Sequence, residues 1–132
     1  MQESFLHYLW QMQYFNKTEL QTSDGEKIEI FSPGILNSNA GPDFANARVK
    51  IGSIDWVGSV EVHTHSSGWL DHHHERDRAY DNVILHLVWQ HNKVIKRNDK
   101  TVLPTLELRG RVDEALIKTY RQLINSSFSI PC

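Results

Sequence analysis

GPDFANARVKIGSIDWVGSVEVHTHSSGWLDHHHERDRAYDNVILHLVWQH, residues 41–91, is the stretch from which the rest of the chain can be placed. Around Gly52-Ser53 it reads as a hairpin, with one strand over residues 44–51 and a second over about 54–65. Strand side chains alternate between faces, so Glu61, His63 and His65 share one face while Val60, Val62 and Thr64 take the other. Asp43 heads the first strand of the pair. Further on, Val83-Ile84-Leu85-His86-Leu87-Val88-Trp89 is the most apolar run in the chain and suits a central strand buried on both faces, with His86 its one ionisable residue. Ser66-Ser67-Gly68 breaks the preceding strand, and Asp71 is expected to cap a short polar helix over about residues 72–81. Seven of the eight histidines fall in this stretch. With Asp43 and Glu61 they form a set of groups suited to a divalent metal.

Outward from there, residues 4–15 space Phe5, Leu6, Leu9, Trp10, Met12 and Phe15 like one face of an amphipathic helix, begun by Ser4 or slightly earlier. Glu3, at its start, is the residue of that helix expected to turn toward a site. Thr22-Ser23-Asp24-Gly25 is turn chemistry, Lys27 to Phe31 alternates as a strand, and residues 32–42 form a loop rich in Gly, Pro, Asn and Ser. After a polar, basic segment over 91–101, Leu103 to Leu108 reads as a last strand, placed at an edge by Pro104. Asp113 to Ile124 closes the chain as a helix. The expectation is a single α/β domain over residues 1–132, a mixed sheet of about five strands flanked by helices in the order helix, strand, strand, strand, helix, strand.

Bulk properties narrow the class. The 132 residues suffice to bury roughly two-thirds of the unfolded surface, so the fold needs no staples. With 39% hydrophobic and 23% charged residues and a mean hydropathy of -0.48, neither disorder nor membrane insertion is indicated. No apolar run reaches the ~18 residues of a spanning helix, and the N-terminus lacks the basic region of a signal peptide, so a cytoplasmic location is expected. The lone cysteine, Cys132, excludes internal disulfides and thiolate-rich zinc sites, leaving oxygen and imidazole as ligands. Pro131-Cys132, straight after an amphipathic helix, reads more like a cut than a natural tail. A net charge of -2 and a pI near 6.4 argue against a nucleic-acid binder that works by overall charge; any phosphate binding must be local.

Asp43 and Glu61, on paired strands joined by a tight turn, are the expected metal ligands, with the Val62 carbonyl as a further oxygen. Mg2+ or Mn2+ suits that donor set. Such an ion polarises a phosphoryl oxygen and lowers the pKa of a bound water, which phosphodiester hydrolysis needs. Pro42-Asp43 followed by Glu61-Val62-His63 resembles the PD-(D/E)XK nuclease superfamily in motif order and in expected core. The departure is His63, which stands where that pattern has lysine and carries a full charge only when protonated. The resemblance implies a restriction-endonuclease-like core and a catalytic set of Asp43, Glu61 and His63. His72, His74, Asp77, Tyr80, His86 and Trp69 would then line the cleft behind the ligands or against a nucleic-acid substrate.

A second resemblance spans nearly the whole chain. Gly41-Pro42-Asp43-Phe44, Gly58, Glu61-Val62-His63, Ser67, Trp69, His72, His74, Asp77 and Ala79 to His86 are similar to the N-terminal part of the bacterial family called domain of unknown function 2851. That likeness does not extend to His65 or His73. It implies no activity by name, and it implies a longer protein whose C-terminal region would be this domain's partner.

Other readings stand beside the nuclease. His63, His65 and one of His72 or His74 with a carboxylate could form a Zn2+ hydrolase site, although no HExxH helix accompanies them. The domain could also be a non-catalytic nucleic-acid-binding or interaction module, touching phosphates through Lys93, Lys96, Arg97, Arg109 and Arg111. The bland readings are a turn carboxylate for Asp43, satisfied core histidines for His63 and His86, and a lid on the core for Trp69.

Overall fold

The computed structural model describes residues 1–38, 41–71 and 78–127. Helix α1, Glu3–Met12, buries Phe5, Leu6, Leu9 and Trp10 on one side, as the spacing of its apolar residues dictates. It stops three residues short of the expected end because Gln13 takes a left-handed conformation with φ 58 and closes the last turn through its N–H on the Trp10 carbonyl. Phe15 is buried nonetheless, stacked on Trp10 with ring centroids 6.2 Å apart.

Among the described residues six strands follow: β1 (Ile28–Ser32), β2 (Ile35–Leu36), β3 (Phe44–Ile51), β4 (Ile54–His65), β5 (Val83–Gln90) and β6 (Thr105–Glu107). The sheet is mixed and runs in the order β1-β3-β4-β5-β6, with β2 paired to β3 beside β1. Pairings among β1, β2, β3 and β4 are antiparallel, whereas β4 with β5 and β5 with β6 are parallel. The hairpin turn falls at Gly52-Ser53 and β6 is an edge strand, as expected. The strand that sequence reading passed over is β2, two exposed residues inside the presumed loop with no alternation to mark them.

Most of the helix expected over about 72–81, between β4 and β5, falls on residues outside the described ones. A short helical turn, α2 (Gly68–Asp71), starts earlier, with the Trp69 and Leu70 N–H groups on the Ser66 and Ser67 carbonyls. Asp71 is the last residue of that turn. A 3-10 turn over Arg78–Asn82 then leads into β5. Helix α3, Glu114–Ser127, closes the described chain.

The main core lies on the sheet face covered by α1 and α3. Phe44, Val49, Val60, Val62, Leu85, Leu87 and Leu106 meet Leu6, Leu9, Trp10 and Ile117 there. Each fully buried Leu contributes about 1.5–3 kcal/mol relative to exposure. Phe5 and Tyr120 tie the two helices by stacking, centroids 4.0 Å apart. On the opposite face Trp69, Val83, Ile95 and Leu103 form a smaller cluster with Tyr80 packed on it. Strand β5 is thus covered on both sides, which explains its unbroken apolar run and the complete burial of His86. Among the described residues no helix is long and apolar enough to cross a membrane.

Candidate functional site

The β3–β4 ladder slips by one residue between Phe44 and Ala47, so Phe44 lies across from Val60, and one step further along Asp43 comes to face Glu61. Hydrogen bonds cross in both directions at that point. The Asp43 N–H donates to Glu61 Oε1 at 3.1 Å, and the Val62 N–H donates to Asp43 Oδ2 at 2.8 Å. The two carboxyl groups are thereby brought close enough to act on each other. Two carboxyls in such contact hold one proton between them, because both cannot be ionised without a cation.

A histidine stands at either side of the pair. His7 Nε2, from α1, lies 3.4 Å from Asp43 Oδ1, its ring edge-on to Phe44 at 5.7 Å. His63 Nε2 lies 3.8 Å from Glu61 Oε2, and its Nδ1 shares a 2.7 Å hydrogen bond with His86 Nε2. The result is a line of five ionisable groups, His7, Asp43, Glu61, His63 and His86, crossing from α1 through β3 and β4 to β5. Trp69 closes the inner end, its ring 5.3 Å from His86. Tyr80 meets Trp69 edge-on at 5.8 Å and so supports the site from one layer further out.

Burial grades along the line. Glu61 and His63 are each 4% exposed and His86 is 0% exposed. The side chains of His7 and Asp43, at 27% and 25%, form the end that solvent reaches. Electrostatics follow that gradient. Burial pushes the Glu61 carboxyl up, and the Asp43 charge beside it pushes the same way, so Glu61 is the partner that carries the proton. For Asp43 burial also works against ionisation, but the neighbouring His7 and Glu61 and the hydrogen bond from the Val62 N–H outweigh it and hold the carboxylate well below its ordinary value. His7 is raised by its 3.4 Å contact with Asp43, with burial opposing and the Asp43 and Glu3 charges adding. The charge of Glu3, one helical turn before His7, also reaches Glu61.

Of the residues named from the sequence, Asp43, Glu61, His63 and His86 are brought together, with Trp69 against them and Tyr80 behind. His72, His74 and Asp77, and with them His73, lie outside the described residues. His65 shares a face with Glu61 but is exposed, 3.4 Å from Thr64 Oγ1, away from the line. Among the described residues no three His, Cys, Asp or Glu side chains converge into a ready metal cage. Two of the basic residues named from the sequence are engaged within the fold. Arg111 donates to the carbonyls of Asn16, Thr18 and Glu19, and Arg97 lies over the Trp56 ring at 5.5 Å.

His7 is the participant that sequence reading missed, being the one histidine outside residues 41–91. The available signal was its place four residues after Glu3 on the flank of the apolar stripe of α1. No curated protein and no solved structure matches the chain. A family model matches residues 3–132, nearly its whole length, and by that match the chain belongs to the family described as protein of unknown function (DUF2851).

Proposed function

We propose that this is a metal-dependent nuclease-like domain of the PD-(D/E)XK kind, hydrolysing phosphodiesters of a nucleic acid, with Asp43 and Glu61 as ligands for Mg2+ or Mn2+. The observation that carries the reading is the close approach of these two carboxyls on adjacent strands, one end buried and the other open to solvent. An all-oxygen pair fits a hard cation, and such a cation keeps several waters, so two protein carboxylates and a main-chain carbonyl suffice. When bound, it would supply Lewis acidity to a phosphoryl oxygen and a lower pKa for its water. Asp43, already ionised and partly exposed, is the ligand that faces incoming substrate. Glu61 has to release its proton on binding, and His63 Nε2, 3.8 Å from Glu61 Oε2, is the group placed to take it.

His63 occupies the position of the motif lysine. With one ring nitrogen toward Glu61 and the other bonded to His86, its part is to fix the Glu61 carboxyl and exchange a proton with it. His7 does the same for Asp43 from the helix side. The test is cleavage of labelled single- and double-stranded DNA and RNA with Mn2+, for the parent, Asp43→Asn and Glu61→Gln, together with calorimetric titration of Mn2+. The expected outcome is Mn2+-dependent cleavage lost by about 100-fold or more in either variant, the scale on which loss of essential transition-state charge stabilisation is felt. Absence of both cleavage and Mn2+ binding in the parent would overturn the reading.

A further inference from the structure

We infer that a β-bulge at Ala45-Asn46, braced by Gly34, is the device that aligns the carboxyl pair, and that Asn46 and Gly34 are positioning residues of the site. The inference rests on the reading of Asp43 and Glu61 as the working pair. Along β3 and β4, Ala47 pairs with Gly58, Arg48 with Val57 and Val49 with Trp56, so partner numbers sum to 105; at Phe44 and Val60 they sum to 104. Two residues of β3, Ala45 and Asn46, thus occupy the space of one. A regular ladder carried on from Ala47 would set Asp43 across from Val62. The extra residue sets it across from Glu61 instead, and turns its carboxyl to the face that Glu61 occupies.

Asn46 makes the insertion possible. It has φ 60, a left-handed conformation that asparagine tolerates far better than β-branched residues do. Its side chain is exposed, so packing does not account for the residue type. Across the sheet edge, β1 and β2 are interrupted opposite the bulge by Pro33-Gly34. Gly34 has φ 85, and a Cβ there would lie 2.5 Å from the Ala45 carbonyl oxygen and 3.0 Å from the Ala47 nitrogen, both main-chain atoms that cannot swing aside. The fully buried Trp10 fixes this segment by donating from Nε1 to the Pro33 carbonyl at 2.9 Å. Beyond β2, the Asn37 N–H and side-chain amide donate to the Asp43 and Pro42 carbonyls at 2.8 and 3.1 Å. The helix that presents His7 to Asp43 therefore also holds the segment against which the bulge forms.

The experiment uses two readouts on the whole chain: the amide proton shift of Val62, displaced downfield by its bond to Asp43 Oδ2, and Mn2+ affinity by calorimetry. Asn46→Gly, which keeps the left-handed conformation, should retain the Val62 shift and an affinity within about twofold of the parent. Asn46→Val should fold but lose the shift and at least tenfold in affinity. Deletion of Asn46 should rescue both, because a regular ladder one residue shorter again puts Asp43 across from Glu61; a merely structural role predicts no such rescue. If Asn46→Val does not fold, Asn46→Ala is read instead. A folded Asn46→Val or Asn46→Ala with an unchanged Val62 shift overturns the inference. Should the parent bind no Mn2+, the nuclease reading fails by itself, and the Val62 shift still decides the role of the bulge.

Discussion

At the level of single residues the centre of the molecule is one proton. Glu61 holds it because burial and the neighbouring Asp43 charge both disfavour a second anion. A group whose folded pKa is raised contributes stability that is whole below its ordinary value, 4.5 here, and is lost as pH climbs toward the raised value. His7, raised from 6.5, acts with the same sign at higher pH. Asp43 is opposite, contributing above its ordinary 3.8 and losing that contribution only as pH falls toward its lowered value. The domain should therefore be more stable at pH 5 than at pH 8 in urea denaturation, with a Glu61 slope of at most ~1.4 kcal/mol per pH unit. Glu61→Gln, neutral at every pH and still able to donate to Asp43, should flatten the profile; an equally steep profile in this variant would count against a protonated Glu61. His86→Ala should cost about 2–4 kcal/mol, since it opens a cavity and leaves a ring nitrogen of His63 unbonded in a dry site, as the urea midpoint would report. Asp43, Glu61 and His63 were legible in the sequence because they sit in a short motif on a readable hairpin. His7 was not, because nothing local to α1 indicates that it will meet Asp43, 36 positions further on.

Elements show the same division between local pattern and distant constraint. Helix α1, the β3–β4 hairpin, the buried strand β5 and the edge strand β6 follow from periodicity and turn residues within a few positions. The bulge left a trace too: apolar core positions step from Phe44 to Ala47 by three before settling to two at Val49 and Ile51. The start of α2 at Gly68 had no such trace, because its first turn is set by tertiary fit. Gly68 rests on His63, where a Cβ would approach the ring at 3.1 Å. Gly58 of β4 is a sharper case, since a Cβ there would lie 2.6 Å from the Asn82 carbonyl oxygen and 2.6 Å from Ile84 Cγ2. Gly58→Ala should therefore destabilise by about 1–3 kcal/mol, the scale of overpacking, by pushing the 3-10 turn away from β4. A melting temperature equal to the parent's would show that the strand crossing is looser than described.

For the molecule as a whole, the family match and the mixed α/β architecture agree with what the sequence implied, and a line of interacting ionisable side chains gathers at the end of the β3–β4 hairpin away from its turn. Some of the positive charge is engaged within the fold. Arg111 is the clearest example: its guanidinium gathers three carbonyls and ties residues 16–19 to the segment before α3. Arg111→Ala should lower stability by about 1–3 kcal/mol in urea denaturation and leave nucleic-acid affinity unchanged. A selective loss of affinity at constant stability would instead return Arg111 to a phosphate-binding role. Sequence reading could not separate these uses, because a lysine or arginine in a polar loop looks the same whether it meets a phosphate or a main-chain oxygen.

The two halves of the sheet also differ in how far the chain must travel to make them. The β3–β4 pairing closes through the turn at Gly52-Ser53, whereas β4 meets β5 in parallel only after the whole crossover of residues 66–82 has been laid down. Hairpins close in about 1–10 μs, and parallel pairings with long loops are the slow step of comparable folds. Asp43 and Glu61 lie on the fast side of that divide. The burial that penalises a second charge there is complete only once β5 has docked, so alkaline pH should speed unfolding more than it slows folding.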